Sequence, residues 1–266
     1  MSNIKINNTD IANYGFIPTK YLESLFTLPK AEEVPFIEWY EGGFDYDLQD
    51  GIKLQDSREI EIELASVQYS NRFITFIGML MANTYNNYLF SDINETLTLR
   101  FVEQSNNNLF GATNGSKFKI KLLEENYSRI LTDTHIDLGT IDTLLEIDNV
   151  NVNSYGMVLT NGYDDLLRYA RTHERERNKV SQIKPRAKDI TLEFACTSLD
   201  ITTFITNYYS FFAMLLNVGI RTLKLNYRGY LFQNKAFYQG MGVNELIIQD
   251  GLVWCEFFVN LKAWLV

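Results

Sequence analysis

The residues that could do chemistry in this 266-residue chain are few: two histidines, two cysteines and a run of acids around Asp45. His135 and His173 stand alone. Cys196 and Cys255 lie in apolar, strand-like stretches and read as small buried hydrophobes. No CxxC pair or histidine spacing suggests zinc. Asp45, Asp47, Asp50 and Gly51 carry part of a calcium-loop pattern, but the spacing fails. Such a loop needs Gly at its sixth position and Glu at its twelfth, and these are Asp50 and Asp56. No G-x-S-x-G, P-loop or GxGxxG occurs, and Gly240-Met241-Gly242 is a short turn candidate. The residues predict no catalytic group, no cofactor and no metal.

What must be positioned instead is a domain that occurs twice. Residues Ile4–Ile17, IKINNTDIANYGFI, align without a gap with Leu145–Val158, LEIDNVNVNSYGMV. Ile6 matches Ile147, Asn8 matches Asn149, Ile11 matches Val152, and Tyr14-Gly15 matches Tyr155-Gly156. A second block follows in each half: REIEIELA at Arg58–Ala65 and KDITLEFA at Lys188–Ala195. Each opens on a basic-acidic pair and then alternates, so Ile60, Ile62 and Leu64, or Ile190, Leu192 and Phe194, share one buried strand face. Helical spacing comes next. Phe73, Phe76, Ile77, Leu80 and Met81 line one face in the first half. Ile201, Phe204, Ile205, Tyr208, Phe212 and Leu215 do so in the second. Leu97-Thr98-Leu99 and Leu223-Lys224-Leu225 are then read as matching strands, and further strands close each half at Phe118–Leu123 and Leu252–Leu261.

The copies differ in charge at one place. Thr27–Ser57 holds eight acids (Glu32, Glu33, Glu38, Glu41, Asp45, Asp47, Asp50, Asp56) and two lysines. The matching Arg168–Lys188 holds eight basic residues (Arg168, Arg171, Arg175, Arg177, Lys179, Lys184, Arg186, Lys188) and two glutamates. Opposite charge steers and fixes register between surfaces. The expected inter-subunit interface is therefore Glu32, Glu33, Glu38 and Glu41 against Arg171, Arg175, Arg177 and Arg186. A net charge of −9 disfavours non-specific nucleic-acid binding by the whole surface. No apolar run would span a membrane, and no charged-then-apolar leader opens the chain, so it reads as soluble.

The opening INNTDIANYGF, the Asp50-Gly51 loop, the strand REIEIELA and its following helix resemble the N-terminal domain of siphophage distal tail proteins. Ile6, Asn7, Asn8, Tyr14 and Gly15 match that family's first strand, and Arg58–Leu64 its alternating one. The resemblance covers about residues 1–125. Asn8 stands where the family often has Gly. The second half is another copy of the same domain, where many distal tail proteins carry a different one. Two tube-type domains in one chain look instead like baseplate hub proteins. The resemblance implies the tail-tube and baseplate superfamily, with a β-barrel and a helix laid against it.

The expected fold is α+β, mainly β: two tandem homologous tail-tube-like β-barrel domains, each with a helix packed on the barrel. They occupy residues 1–126 and 145–266, with a connector at 127–144. The expected role is structural, a ring around the central channel at the tip of a phage or phage-like tail, connecting tail tube to baseplate. Expected partners are self, other tube and baseplate proteins, and DNA in transit, with no membrane insertion. A trimer of pseudo-sixfold symmetry is preferred and a hexamer is second. The expected location is the virion tail, after assembly in the bacterial host cytoplasm. The alternative is a carbohydrate-binding module of an adsorption apparatus. Exposed tryptophans would mark it, and the chain has three: Trp39, Trp254 and Trp264.

Overall fold

The computed structural model describes residues 4–38, 44–46, 51–66, 70–110, 115–134, 144–167, 170–176 and 179–265. In chain order the first half contains β1 (Ile4–Ile6), β2 (Thr9–Asp10), β3 (Phe16–Lys20), α1 (Leu22–Phe26), β4 (Phe36–Glu38) and β5 (Phe44–Tyr46). It continues with β6 (Ser57–Ser66), α2 (Ser70–Ala82), β7 (Asn86–Phe90), β8 (Glu95–Phe110) and β9 (Gly115–Glu125). The second half repeats the series: β10 (Leu145–Ile147), β11 (Val150–Asn151), β12 (Met157–Asn161), α3 (Tyr163–Leu167), β13 (Ala170–Glu176) and β14 (Lys179–Arg186). It ends with β15 (Lys188–Ser198), α4 (Ile201–Leu216), β16 (Arg221–Tyr227), β17 (Tyr230–Gln249) and β18 (Leu252–Leu265).

Among the described residues these form two seven-stranded antiparallel sheets, in the orders β2-β1-β7-β8-β9-β6-β3 and β11-β10-β16-β17-β18-β15-β12. Every strand has its counterpart at the same place. The irregularities recur too. A bulge interrupts β8 between Phe101 and Glu103, and β17 between Tyr238 and Gly240. Bulges are built-in features, so their recurrence supports a duplicated backbone. One expected match is corrected. Leu223–Leu225 lies in β16, which pairs with β10 as β7 pairs with β1. Its counterpart is thus Tyr88–Phe90, whereas Leu97–Leu99 lies in β8. Apolar-polar-apolar triplets occur in every half-buried strand and carry no register of their own.

The opening motif folds alike in both copies. Asn7 and Asn8 take φ 48 and 67, and Asp148 and Asn149 take 51 and 68. These left-handed values suit Asn, Asp or Gly in a tight hairpin. The Asp10 carboxylate then accepts from Ala12 N at 2.8 Å, and the Asn151 amide oxygen accepts from Asn153 N at 2.8 Å. Each caps a short 3-10 turn that ends on a left-handed glycine, Gly15 or Gly156.

Alternation builds the core. Ile60, Ile62 and Leu64 of β6 are buried while Glu59, Glu61 and Glu63 face out. Those glutamates meet Lys121, Lys119 and Lys117 of β9 at 3.4, 2.9 and 2.7 Å. Inside, Phe16 packs on Phe76 and Phe118 at ring distances of 4.8 and 5.2 Å. In the second half Phe194 meets Phe211 at 5.2 Å, and Tyr208 meets Phe257 at 5.4 Å.

The helices differ. α2 buries Phe76 and Leu80 but leaves Ile74 and Met81 exposed, so Met81 is not on the core face expected of it. α4 is buried nearly all round from Tyr208 to Leu215. Something covers its outer side.

Candidate assembly interface

Arg58 and Lys188, the basic residues that open the second block of each copy, fix the short helix before it. Arg58 Nη1 donates to the carbonyls of Leu25 at 2.7 Å and Thr27 at 3.0 Å, while its Nε pairs with Glu124 at 2.5 Å. Lys188 Nζ donates to the Asp165 carbonyl in α3. A cation at a helix C-terminus satisfies its open carbonyls and complements its dipole. Each copy then inserts a two-stranded arm between this helix and the next long strand: β4–β5 in the first, β13–β14 in the second.

The first arm leaves its own half. By contact the chain forms two compact units, Met1–Pro29 with Gln55–Ser128, and Lys30–Leu54 with Arg129–Val266. The arm's base is zipped by an antiparallel bridge between Ala31 and Leu54, and by Glu32 N donating to Lys53 O at 2.8 Å. Phe36 rests on Phe237 at 5.8 Å and Trp264 at 5.7 Å, and Lys262 Nζ lies 6.0 Å from its ring centre. A cavity of about 660 Å³ runs between residues 31–37 and Phe237, Tyr238, Gln239 and Lys262. On its return the arm crosses the end of α4, where Ile52 N donates to Leu216 O at 3.1 Å. Gly51, at φ 79, would place a Cβ 2.9 Å from that same carbonyl, so the approach requires glycine.

The segment after the first unit covers α4 from outside. Arg129 lies over the Tyr209 ring at 4.3 Å. Thr134 N donates to Ser210 Oγ at 2.6 Å, and Ser210 Oγ donates to Asp133 at 3.0 Å. Asp133 also accepts from the Tyr155 hydroxyl at 3.1 Å. Burial first, and the Asp133 charge second, push that phenol's pKa up.

Neither a family model nor a curated protein sequence matches this chain. Among solved structures it is similar to the SPP1 Dit (gp 19.1) protein, titled a paradigm of the hub adsorption apparatus in Gram-positive infecting phages. The TM-score is 0.37 at 10% identity, and the match covers 99% of each chain. A likeness this distant decides neither fold nor role.

Of the expected interface residues, Glu32 and Glu33 are exposed on the arm. Glu38 ends β4, Arg171 and Arg175 lie in β13, and Arg186 ends β14; their side chains lie outside the described part. Glu41 and Arg177 lie outside the described residues, as do His135, Asp47, Asp50 and Trp39. Cys196 and Cys255 are buried and face each other in register across β15 and β18 as unjoined thiols. Among the described residues no group of three or more His, Cys, Asp or Glu is placed to hold a metal. No described helix is long and apolar enough to cross a membrane.

The residues that carry the arm contact, Phe36, Phe237, Trp264 and Gly51, were not singled out for it by sequence. An aromatic residue inside an acidic stretch was the available signal. A second feature was also missed. A cavity of about 550 Å³ opens at the β17–β18 turn, lined by Ser198, Leu199, Ile247, Asp250, Leu252 and Trp254 among others. Leu199, Ile247, Leu252 and Trp254 are all exposed there.

Proposed function

We propose that this protein is a structural, ring-forming component of a phage or phage-like tail, placed around the central channel at the tail tip between tube and baseplate. One observation carries the reading: the arm of the first copy packs on the second copy. Within one chain this is the contact that identical subunits of a ring would make with one another. The family resemblance of the opening motif supplies the tail setting. Repeating such a head-to-tail contact closes a ring or extends a filament, according to its rotation. Trimers would present six copies of the domain around the axis.

In this reading the opposite charges of the two arms fix the order of neighbours, with Glu32, Glu33, Glu38 and Glu41 on one side and Arg171, Arg175, Arg177 and Arg186 on the other. The chain's excess of acid would keep passing DNA from adhering. Negative-stain images of the purified protein test the proposal. Six lobes around a hole are expected, and a clean monomer at micromolar concentration would overturn it.

The carbohydrate-binding alternative is favoured by one feature, the exposed Trp254 beside Asp250 and Ser198 in the 550 Å³ cavity. A ring face with a polar neighbour suits a sugar. A glycan array showing no signal would remove it.

A further inference from the structure

The registers of the two sheets place a counterpart of the arm's binding surface on the first copy. Arg58 pairs with Glu124 as Lys188 pairs with Ala263. Arg100 pairs with Leu123 as Phe237 pairs with Lys262, and each pair precedes the shared bulge. Arg100, Val102, Glu103, Leu123 and Glu125 therefore stand where Phe237, Gln239, Gly240, Lys262 and Trp264 stand in the second copy.

Burial differs as a filled and an open surface should. Phe237 and Trp264 are 4% and 6% exposed under Phe36, whereas the side chains of their counterparts Arg100 and Glu125 are 38% and 29% exposed. Leu123, like its counterpart Lys262, is half-buried.

Chemistry differs in step. The filled surface is aromatic and receives an arm with Phe36 at its contact. The open one is charged, with three acids to two bases: Glu59 and Glu103 share Lys121, each at 3.4 Å, and Glu125 holds Arg100 at 2.6 Å. The arm of the second copy is basic, with Arg171, Arg175, Lys179, Lys184 and Arg186 against Glu174 and Glu176 across β13 and β14. An aromatic surface faces the arm with an aromatic contact, and a charged surface with one acid in excess is the counterpart for the basic arm.

We infer that the β13–β14 hairpin of one chain docks on the surface around Arg100, Val102 and Leu123 of a second copy of this chain. This rests on the ring reading and supplies its contact between chains. The contact is heterologous: each chain offers a hairpin at one end and a surface at the other. Complementary charge makes its formation sensitive to salt.

The test uses the full-length chain and variants of each half of the contact. Val102→Asp blocks the surface, with Leu123→Glu as a second version. Arg175→Glu combined with Lys179→Glu reverses the hairpin. Circular dichroism and thermal midpoints identify the variants that fold like the wild type, and sedimentation over a concentration series reads mass. The wild type is expected to be an oligomer, and each variant alone a monomer. An equal mixture of a surface variant and the hairpin variant should form a one-to-one dimer and stop, because one retains a hairpin and the other a surface. A monomeric wild type would sink the ring reading itself. An oligomeric wild type whose folded variants keep its mass would sink this docking surface alone. Monomeric variants that fail to pair would show that the contact is not head-to-tail.

Discussion

Asn86 and Arg221 occupy the same node of the two copies and satisfy it with different chemistry. Asn86, 1% exposed, donates to the Leu80 carbonyl at 3.0 Å and accepts from Asn7 at 2.6 Å. Arg221 donates to the Met214 carbonyl at 3.3 Å and pairs with Asp148 at 2.8 Å. Both close the end of the long helix onto the opening hairpin. Arg221→Gln removes charge-assisted bonds to the Met214 carbonyl and to Asp148, whose partly exposed carboxylate water then screens, and should cost about 2–3 kcal/mol in urea unfolding. Asn86→Ala loses amide bonds alone and should cost less, about 1–3 kcal/mol. Equal costs would refute the distinction. Asp200 caps α4, accepting from Thr203 N and Oγ1, each at 2.7 Å. The Thr203 backbone bond first, and its hydroxyl second, hold the carboxyl below its ordinary pKa. A depressed folded pKa gives stability that is present above the unfolded value, about 3.9 for aspartate, and lost as pH falls through the folded one. Asp200→Ala should therefore lower the thermal midpoint at pH 7, with the deficit shrinking as the pH falls below that value. A deficit independent of pH would show that charge plays no part. A cap of this kind is legible in sequence, because Asp before a helical run is a strong start signal. The amide and ion-pair nodes were not, since their members are far apart in sequence and unlike in type.

At the scale of elements, the legible parts were those with local periodicity. β6, β15 and the helices announced themselves because one face of each is buried in its own half. The long strands β8 and β17 were harder, since their neighbours repeat the same alternation, and the third-strand match slipped by one strand. The arm's destination was illegible for a different reason: its binding surface is made by residues about two hundred positions later. Phe36→Ala tests the arm directly. The ring is half-buried, so its loss should cost the second unit about 1–2 kcal/mol. In a Trp39→Phe, Trp254→Phe background, Trp264 emission should shift to the red as water reaches the indole. An unshifted spectrum would mean that the arm does not shield Trp264.

For the whole molecule, duplication was legible from the opening motif alone, and the identical strand orders extend it through all seven strands of each sheet. What the repeat could not reveal is that the second unit borrows from the first half. A fragment of residues 145–266 would lack Phe36, Arg129 and Asp133, which lie against Trp264, Tyr209 and Ser210. It should bind a hydrophobic dye and aggregate, and a fragment starting at residue 129 should do so less. A dye-free, monomeric 145–266 fragment would contradict this. The borrowing also gives the protein an order in time. The arm leaves the ribosome with the first half, whereas Phe237 and Trp264 are made about two hundred residues later. At roughly 5–20 residues per second, the arm waits on the order of ten to forty seconds for its site. A nascent chain thus carries an unfilled aromatic hook while the next two hundred residues are made, and chains growing side by side on one message can exchange hooks in that interval.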